Sequence, residues 1–178
     1  MRWLIRILFI LALCCCAGCV LPAHAAAPPI KAINLKLADL PAGFARSSRK
    51  TDATSDDEQF ARQVIAGLLF VESNVSRLAN SQEATLAYNA GAAQIVSSLK
   101  SQGLTSFKRL SVAGVGSHHI AYQGTGTTNG IKATLDLIVF QRGDYFTVLV
   151  GAGVAGTFKV TQVLKLAHIV DGRIKAAG

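Results

Sequence analysis

Cysteine is missing from most of this chain. All four cysteines, Cys14, Cys15, Cys16 and Cys19, fall within the first nineteen of 178 residues. A form cleaved after Ala25 would carry none, which excludes thiolate catalysis, a cysteine metal site, redox switching and structural disulfides for that form. Other signatures are missing too. No His-x-x-x-His or Glu-x-x-His spacing stands in the sequence, and no Gly-x-Ser-x-Gly or Gly-Lys-Ser/Thr element occurs. The usual routes to a zinc site, a nucleophile elbow or a nucleoside triphosphate loop are therefore closed. No arginine-rich run and no aromatic stripe accompanies the basic residues, so nucleic acid is not an expected partner. Acidic residues are scarce as well: 10 against 18 Lys and Arg, a formal net charge of +8.

What is present begins with a leader. Arg2 and Arg6 flank a short basic start, Ile7 to Leu13 is unbroken apolar chain, and Ala23-His24-Ala25 is a small-residue cleavage site. That order is a secretory signal, residues 1–25. The apolar stretch between Arg6 and Pro22 falls short of the roughly 20 residues a membrane span needs. Cys16-Ala17-Gly18-Cys19 also resembles a bacterial lipoprotein signal, residues 1–18, with Cys19 as the lipidated residue. Both readings place the domain outside the cytoplasm, secreted or lipid-anchored to an envelope membrane, which the protein touches only through its signal or anchor. Residues 26–31 form a linker and 32–178 one domain. Without Arg2 and Arg6, sixteen basic residues face ten acidic ones, a net charge of +6. Such a surface is attracted to anionic envelope material.

Pattern along the chain predicts strand at Ile33 to Leu37, a turn in "DLPAGF" (39–44), a basic strand through Arg46 to Lys50, and a helix starting at Ser55-Asp56-Asp57-Glu58 with Phe60, Val64 and Ile65 on its apolar face. Leu68 to Val71 reads as a buried strand. Asn80 and Glu83 open a second helix whose apolar face is Ala84, Tyr88, Ala92, Ile95 and Leu99, ending at Gly103. Short strands are expected at 110–113 and 118–122, a loop at 124–130, and two strong strands at 131–141 and 145–151. Thr157 caps a last helix with Val160, Val163, Leu164, Ala167 and Val170 inward, ending at Gly172. The order implies an α+β fold: a mostly antiparallel sheet with about three helices on one face.

"FQRGDYF" (140–146) contains Arg-Gly-Asp, but Gly143-Asp144 suits a two-residue hairpin turn. That turn pairs Arg142 with Tyr145, Val139 with Val148 and Leu137 with Val150, matching apolar residues face to face. The tripeptide is thus a hairpin tip. Four residues remain as candidates for chemistry: Asp136, carried mid-strand, and the histidines His118, His119 and His168. Asp136 is expected to meet a basic group or water, because a lone buried carboxylate is costly. Adjacent His118 and His119 point to opposite faces of a strand and cannot share one metal. Ser47/Lys50 and Ser97/Lys100 have Ser-x-x-Lys spacing without its companion elements. Gly114-x-Gly116 and Gly124-x-Gly126 read as turns, and Asn74-Val75-Ser76 as a chance glycosylation acceptor. No cofactor or metal is implied.

"DLPAGF", "GVGSHHIAY" (114–122), "LIVFQRGDYFTVLVGAG" (137–153) and "LAHIVDGRI" (166–174) together resemble uncharacterised bacterial exported or lipoprotein domains whose arrangement is similar to the PsbP-like α/β sandwich. The resemblance implies a fold and a location, and no catalytic residue. Function is then expected to be binding of a protein partner or a small apolar or anionic ligand. The alternatives are a small exported hydrolase using Asp136 with a histidine, and a structural accessory subunit of an envelope complex.

Overall fold

The computed structural model describes residues 28–178 except 65–66, 102–103, 129 and 158. The signal, Cys19, residues 26–27 of the linker, Ile65 and Gly103 lie outside the described residues. The core is a seven-stranded antiparallel sheet: β1 (Ala45–Thr51), β2 (Ser55–Val64), β3 (Gly67–Arg77), β4 (Leu104–Leu110), β5 (His118–Thr128), β6 (Ile131–Arg142) and β7 (Tyr145–Val154). Its spatial order is β1-β2-β3-β7-β6-β5-β4. Two meanders therefore meet at one seam, the β3–β7 pair. Three helices complete the fold: α1 (Ile30–Ile33), α2 (Ser81–Ser101) and α3 (Val160–Ala177). The fold class is α+β.

The helices cover both faces of the sheet, not one. Val163, Leu166, Ala167, Val170 and Ile174 of α3 pack with α1 against Phe60, Val71, Ile138, Phe140 and Leu149. On the other face, Ile95 and Leu99 of α2 pack against Leu135, Leu137, Val139, Phe146 and Val148. The cause is visible in β6 and β7, where residues 135–141 and 145–152 are buried without alternation. A strand apolar on both sides needs cover on both sides.

The hairpin at Gly143-Asp144 has the anticipated register, with Val139 opposite Val148 and Leu137 opposite Val150. Gly143 has φ +56, as the first central residue of such a turn requires. Helix α2 starts as expected: the Glu83 N–H donates to Asn80 Oδ1 at 2.9 Å, while the Glu83 carboxylate accepts from Ala79 N–H. Gly91 within it is buried because Phe146 lies against it; an added Cβ would stand 3.0 Å from the ring.

Several expectations are corrected. The 33–37 segment is not a strand: a short helix ends at Ile33, and Leu37–Asp39 is a 3₁₀ turn held by the Lys36 N–H donating to Asp39 Oδ2. Residues 55–58 start strand β2, since pairing with β1 and β3 outweighs the capping signal. Strand β4 ends at Leu110 where a strand was expected to begin. The 124–130 stretch belongs largely to β5, because Gly124 leaves room for Leu104 and Phe107 to pack across it. The last helix runs through Gly172 to Ala177, and its start is capped by Gln162 Oε1 accepting from Lys159 N–H, not by Thr157. Among the described residues no helix is long and apolar enough to cross a membrane.

Candidate functional site

Strand β2 carries three acids in a row, and strand geometry divides them. Asp56 and Glu58 point to the α3 face, where the exposed edge strand β1 supplies their cations. Arg46 Nε lies 2.7 Å from Glu58 Oε2, and Arg49 bridges Glu58 Oε1 and Asp56 Oδ1, each at 3.0 Å. The Thr51 hydroxyl also donates to Asp56. Buried Asn34 closes the cluster from within: its amide donates to Asp56 Oδ2, Asp56 O and Ser73 O, and its Oδ1 accepts from Ser73 and Leu35 N–H. A network this completely satisfied holds α1 to the sheet and leaves no group free for chemistry.

Asp171 of α3 is a second hub. Its carboxylate receives Arg142, Lys175 and the Gly116 N–H. Burial pushes this acid up, but the donors together outweigh burial and hold it below the usual carboxylate range. The hub ties the Gly114–Gly116 loop and the base of the β6–β7 hairpin to α3. Gly116 has φ +63, and a Cβ there would come within 2.8 Å of Gln141 O. Gly114-x-Gly116 is a turn, as read, whereas Gly124-x-Gly126 lies inside paired strand β5.

The four residues singled out for chemistry are not brought together. Asp136 is buried on the α3 face and accepts from Gln123 Nε2 at 2.8 Å. It does not lie on a solvated face, and among the described residues its partner is an amide from the neighbouring strand, not a basic group. Burial raises its carboxyl above the ordinary range, with the Gln123 bond opposing. His119 shares that face, but Gln123 stands opposite Asp136 and His119 is four residues further along β5. At strand rise that is about 13 Å, too far for a dyad. His118 points to the α2 face, its ring 5.9 Å from that of Tyr88. His168 is exposed on α3 beside Gly114. No group of three or more His, Cys, Asp or Glu able to hold a metal occurs among the described residues.

The Ser-x-x-Lys pairs do not assemble a nucleophile either. Ser47 sits at an irregularity of the exposed edge strand β1 and Lys50 stands opposite Asp57, so the pair does not share a helix face. The Ser97 hydroxyl donates to Gln94 O on its own helix. Asn74 and Ser76 bond each other within paired strand β3, an unsuitable place for a glycan.

An open cleft of about 380 Å³ lies where β4 leaves the sheet. Pairing of β4 with β5 stops at Leu110–Ala121, so the start of β5 has β6 on one side only. Arg109, Leu110, Ser111, Val112, His119 and Ile120 line the gap. One guanidinium, one hydroxyl and one imidazole stand beside three aliphatic side chains, and among the described residues no carboxylate lines it. His119 Nδ1 is buried without a hydrogen-bond partner.

Two residues that pattern reading passed over complete the inventory. Asp57, the middle acid of β2, and Glu72 of β3 lie on the α2 face, and each has a buried carboxyl oxygen without a partner. Glu72 is 1% exposed. Burial first, then the charge of Asp57, pushes Glu72 up to about 8. Burial, then Asp56 and Glu58, raise Asp57 to about 6, against Lys50 and Gln59. The signal for this pair was alternation: had 55–64 been read as strand, Asp57 would have been separated from its neighbours.

No family model matches the chain, and no curated protein does. Among solved structures, the extracellular domain of PknH from Mycobacterium tuberculosis is similar in fold, with a TM-score of 0.58 at 10% identity. The match covers 86% of this chain and 98% of that one. It does not show the PsbP-like arrangement. At such identity it is the architecture alone that the two share: an antiparallel sheet and its helices.

Proposed function

We propose that this chain is an exported, extracytoplasmic domain that acts by binding, and that the cleft beside β4 takes a small anionic ligand with an apolar body. The lining carries the reading. Arg109, Ser111 and His119 offer donors to an anionic head, Leu110, Val112 and Ile120 offer apolar surface, and no acid lies among them to repel it. Apolar surface with a few convergent polar groups is the usual make-up of a ligand site. The leader pattern and the likeness to an extracellular domain support export.

The hydrolase reading has less support, because Asp136 stands four strand positions from His119 and is occupied by Gln123. The accessory-subunit reading needs a contiguous apolar patch. Among the described residues the large exposed apolar side chains are Leu37, Leu86 and Ile131, on three different elements.

Native mass spectrometry of the full chain purified from its own membrane and medium tests the proposal. It also reports the cleavage point and any lipid at Cys19. The expected result is a co-purifying anionic amphiphile, or added laurate bound by the parent and at least tenfold more weakly by Arg109→Ala and Ile120→Asp. Laurate binding unchanged in both variants refutes the cleft as the site.

A further inference from the structure

Glu72 and Asp57 form an arrangement that ligand binding at the β4 cleft does not use. In the β2–β3 register Asp57 stands opposite Asn74 and Glu72 opposite Gln59. The two acids are therefore diagonal neighbours on one face, roughly 7–8 Å apart along the backbone. Each has a buried carboxyl oxygen with no donor. Across the seam, Glu72 faces Val150 and Asn74 faces Val148, so β7 contributes no charge. Helix α2 packs over β4 to β7. Its Glu83 is engaged at its own N-terminus, and its Lys100 is exposed in the last turn. From β1, Lys50 stands opposite Asp57 and is the cation on β1–β3 that faces the pair. Arg46 and Arg49 are committed to Glu58 and Asp56 on the far face.

We propose that Asp57 and Glu72 form a proton-operated latch: a proton held on the pair keeps the β2–β3 seam closed, and its loss loosens the β1–β2 hairpin from β3. One cation cannot balance two buried anions, and although Gln59 bonds Asp57, one oxygen of each acid receives no hydrogen bond. The hairpin is the part that gives way, because β1 is an exposed edge strand and β3 is anchored to β7. The sign follows from the proton affinities. Glu72 binds its proton more tightly in the fold, near 8, than in the unfolded chain, near 4.5. Closure is thus complete in acid and weakens as pH rises from about 5 to about 8, by at most tenfold per pH unit for one proton.

Hydrogen exchange of the full chain at pH 5.5 to 8.5, corrected for the intrinsic pH dependence of exchange, reads the latch directly. Carboxyl-carbon NMR of Glu72 follows its titration beside it. Amides of Ser55–Val64 and Gly67–Arg77 should lose protection at least tenfold between pH 6 and 8.5, while those of β5 and β6 change less than threefold. In Glu72→Gln the loss in β2 and β3 should shrink below threefold. Should that variant fail to fold, Asp57→Asn carries the same test, because it removes the neighbouring charge and narrows the loss. An unchanged loss in the variant measured, or a Glu72 carboxyl titrating near 4.5, overturns the proposal.

Discussion

The two faces of β2 treat the same kind of residue in opposite ways. On the α3 face Asp56 and Glu58 are buried, yet each meets an arginine from β1, and Asn34 fills the remaining valences. On the α2 face Asp57 and Glu72 are held beside each other with oxygens unpartnered. One strand position separates the two situations. Burial alone therefore does not decide what an acid contributes; the donors the neighbouring strand offers decide it. An acid with fixed donors stabilises the fold as an anion, and an acid without them stabilises it only when protonated.

The largest effect expected on this contrast comes from Arg49→Ala. It leaves Asp56 and Glu58 buried with fewer cations, and removing one partner of a buried ion pair costs about 3 kcal/mol or more. Urea denaturation at pH 7 measures it, and a loss below about 1 kcal/mol would mean that water replaces the arginine. Glu72→Gln should move the other way, stabilising the protein by about 2 kcal/mol at pH 8 and much less at pH 5, because the raised acid opposes folding only when ionised. Gly91→Val should cost a similar amount at every pH, as its side chain drives into the Phe146 ring; thermal unfolding at two pH values separates it from the electrostatic variants.

Asp171→Asn tests the donor rule at a second site. The folded form of Asp171 ionises more readily than the unfolded chain. Its stabilisation is present above about pH 4 and is lost as pH falls further, the reverse of Glu72. Acid unfolding of the parent should thus be steeper than that of the variant. The smallest effect belongs to Arg109→Ala. Arg109 is exposed, so stability should stay within about 0.5 kcal/mol while anion binding falls.

The β6–β7 hairpin was legible down to its register, because Gly143-Asp144 fixed the turn and a one-residue slip would have set Val139 against the wrong partner. Helix α2 was legible from Asn80, Glu83 and its apolar spacing. Residues 55–58 were not: a hydroxyl followed by acids marks a helix start only when no strand is waiting, and β1 and β3 lie far enough away in pairing terms that a local window cannot weigh them. Gly124 failed similarly, since glycine in a strand and glycine in a loop look alike until Leu104 and Phe107 are seen packing across it. The opposite facing of His118 and His119 on β5 was legible from alternation, but distance along a sheet is a property of register. Pattern alone could not show that Asp136 and His119 stand apart, nor that Asp57 and Glu72 stand close.

The seam between the two meanders sets the order in which the molecule can be made. Residues of β3 pair with residues of β7 that are synthesised much later, and α2 and three strands intervene. The first meander must wait with the apolar edge of β3, including Val71 and Val75, unmated until the second is finished. Long-range pairing of this kind folds slowly and exposes strand edges to other chains meanwhile. A chain in this state stays vulnerable until Tyr145 to Ala152 add to β3 and zip the sheet shut.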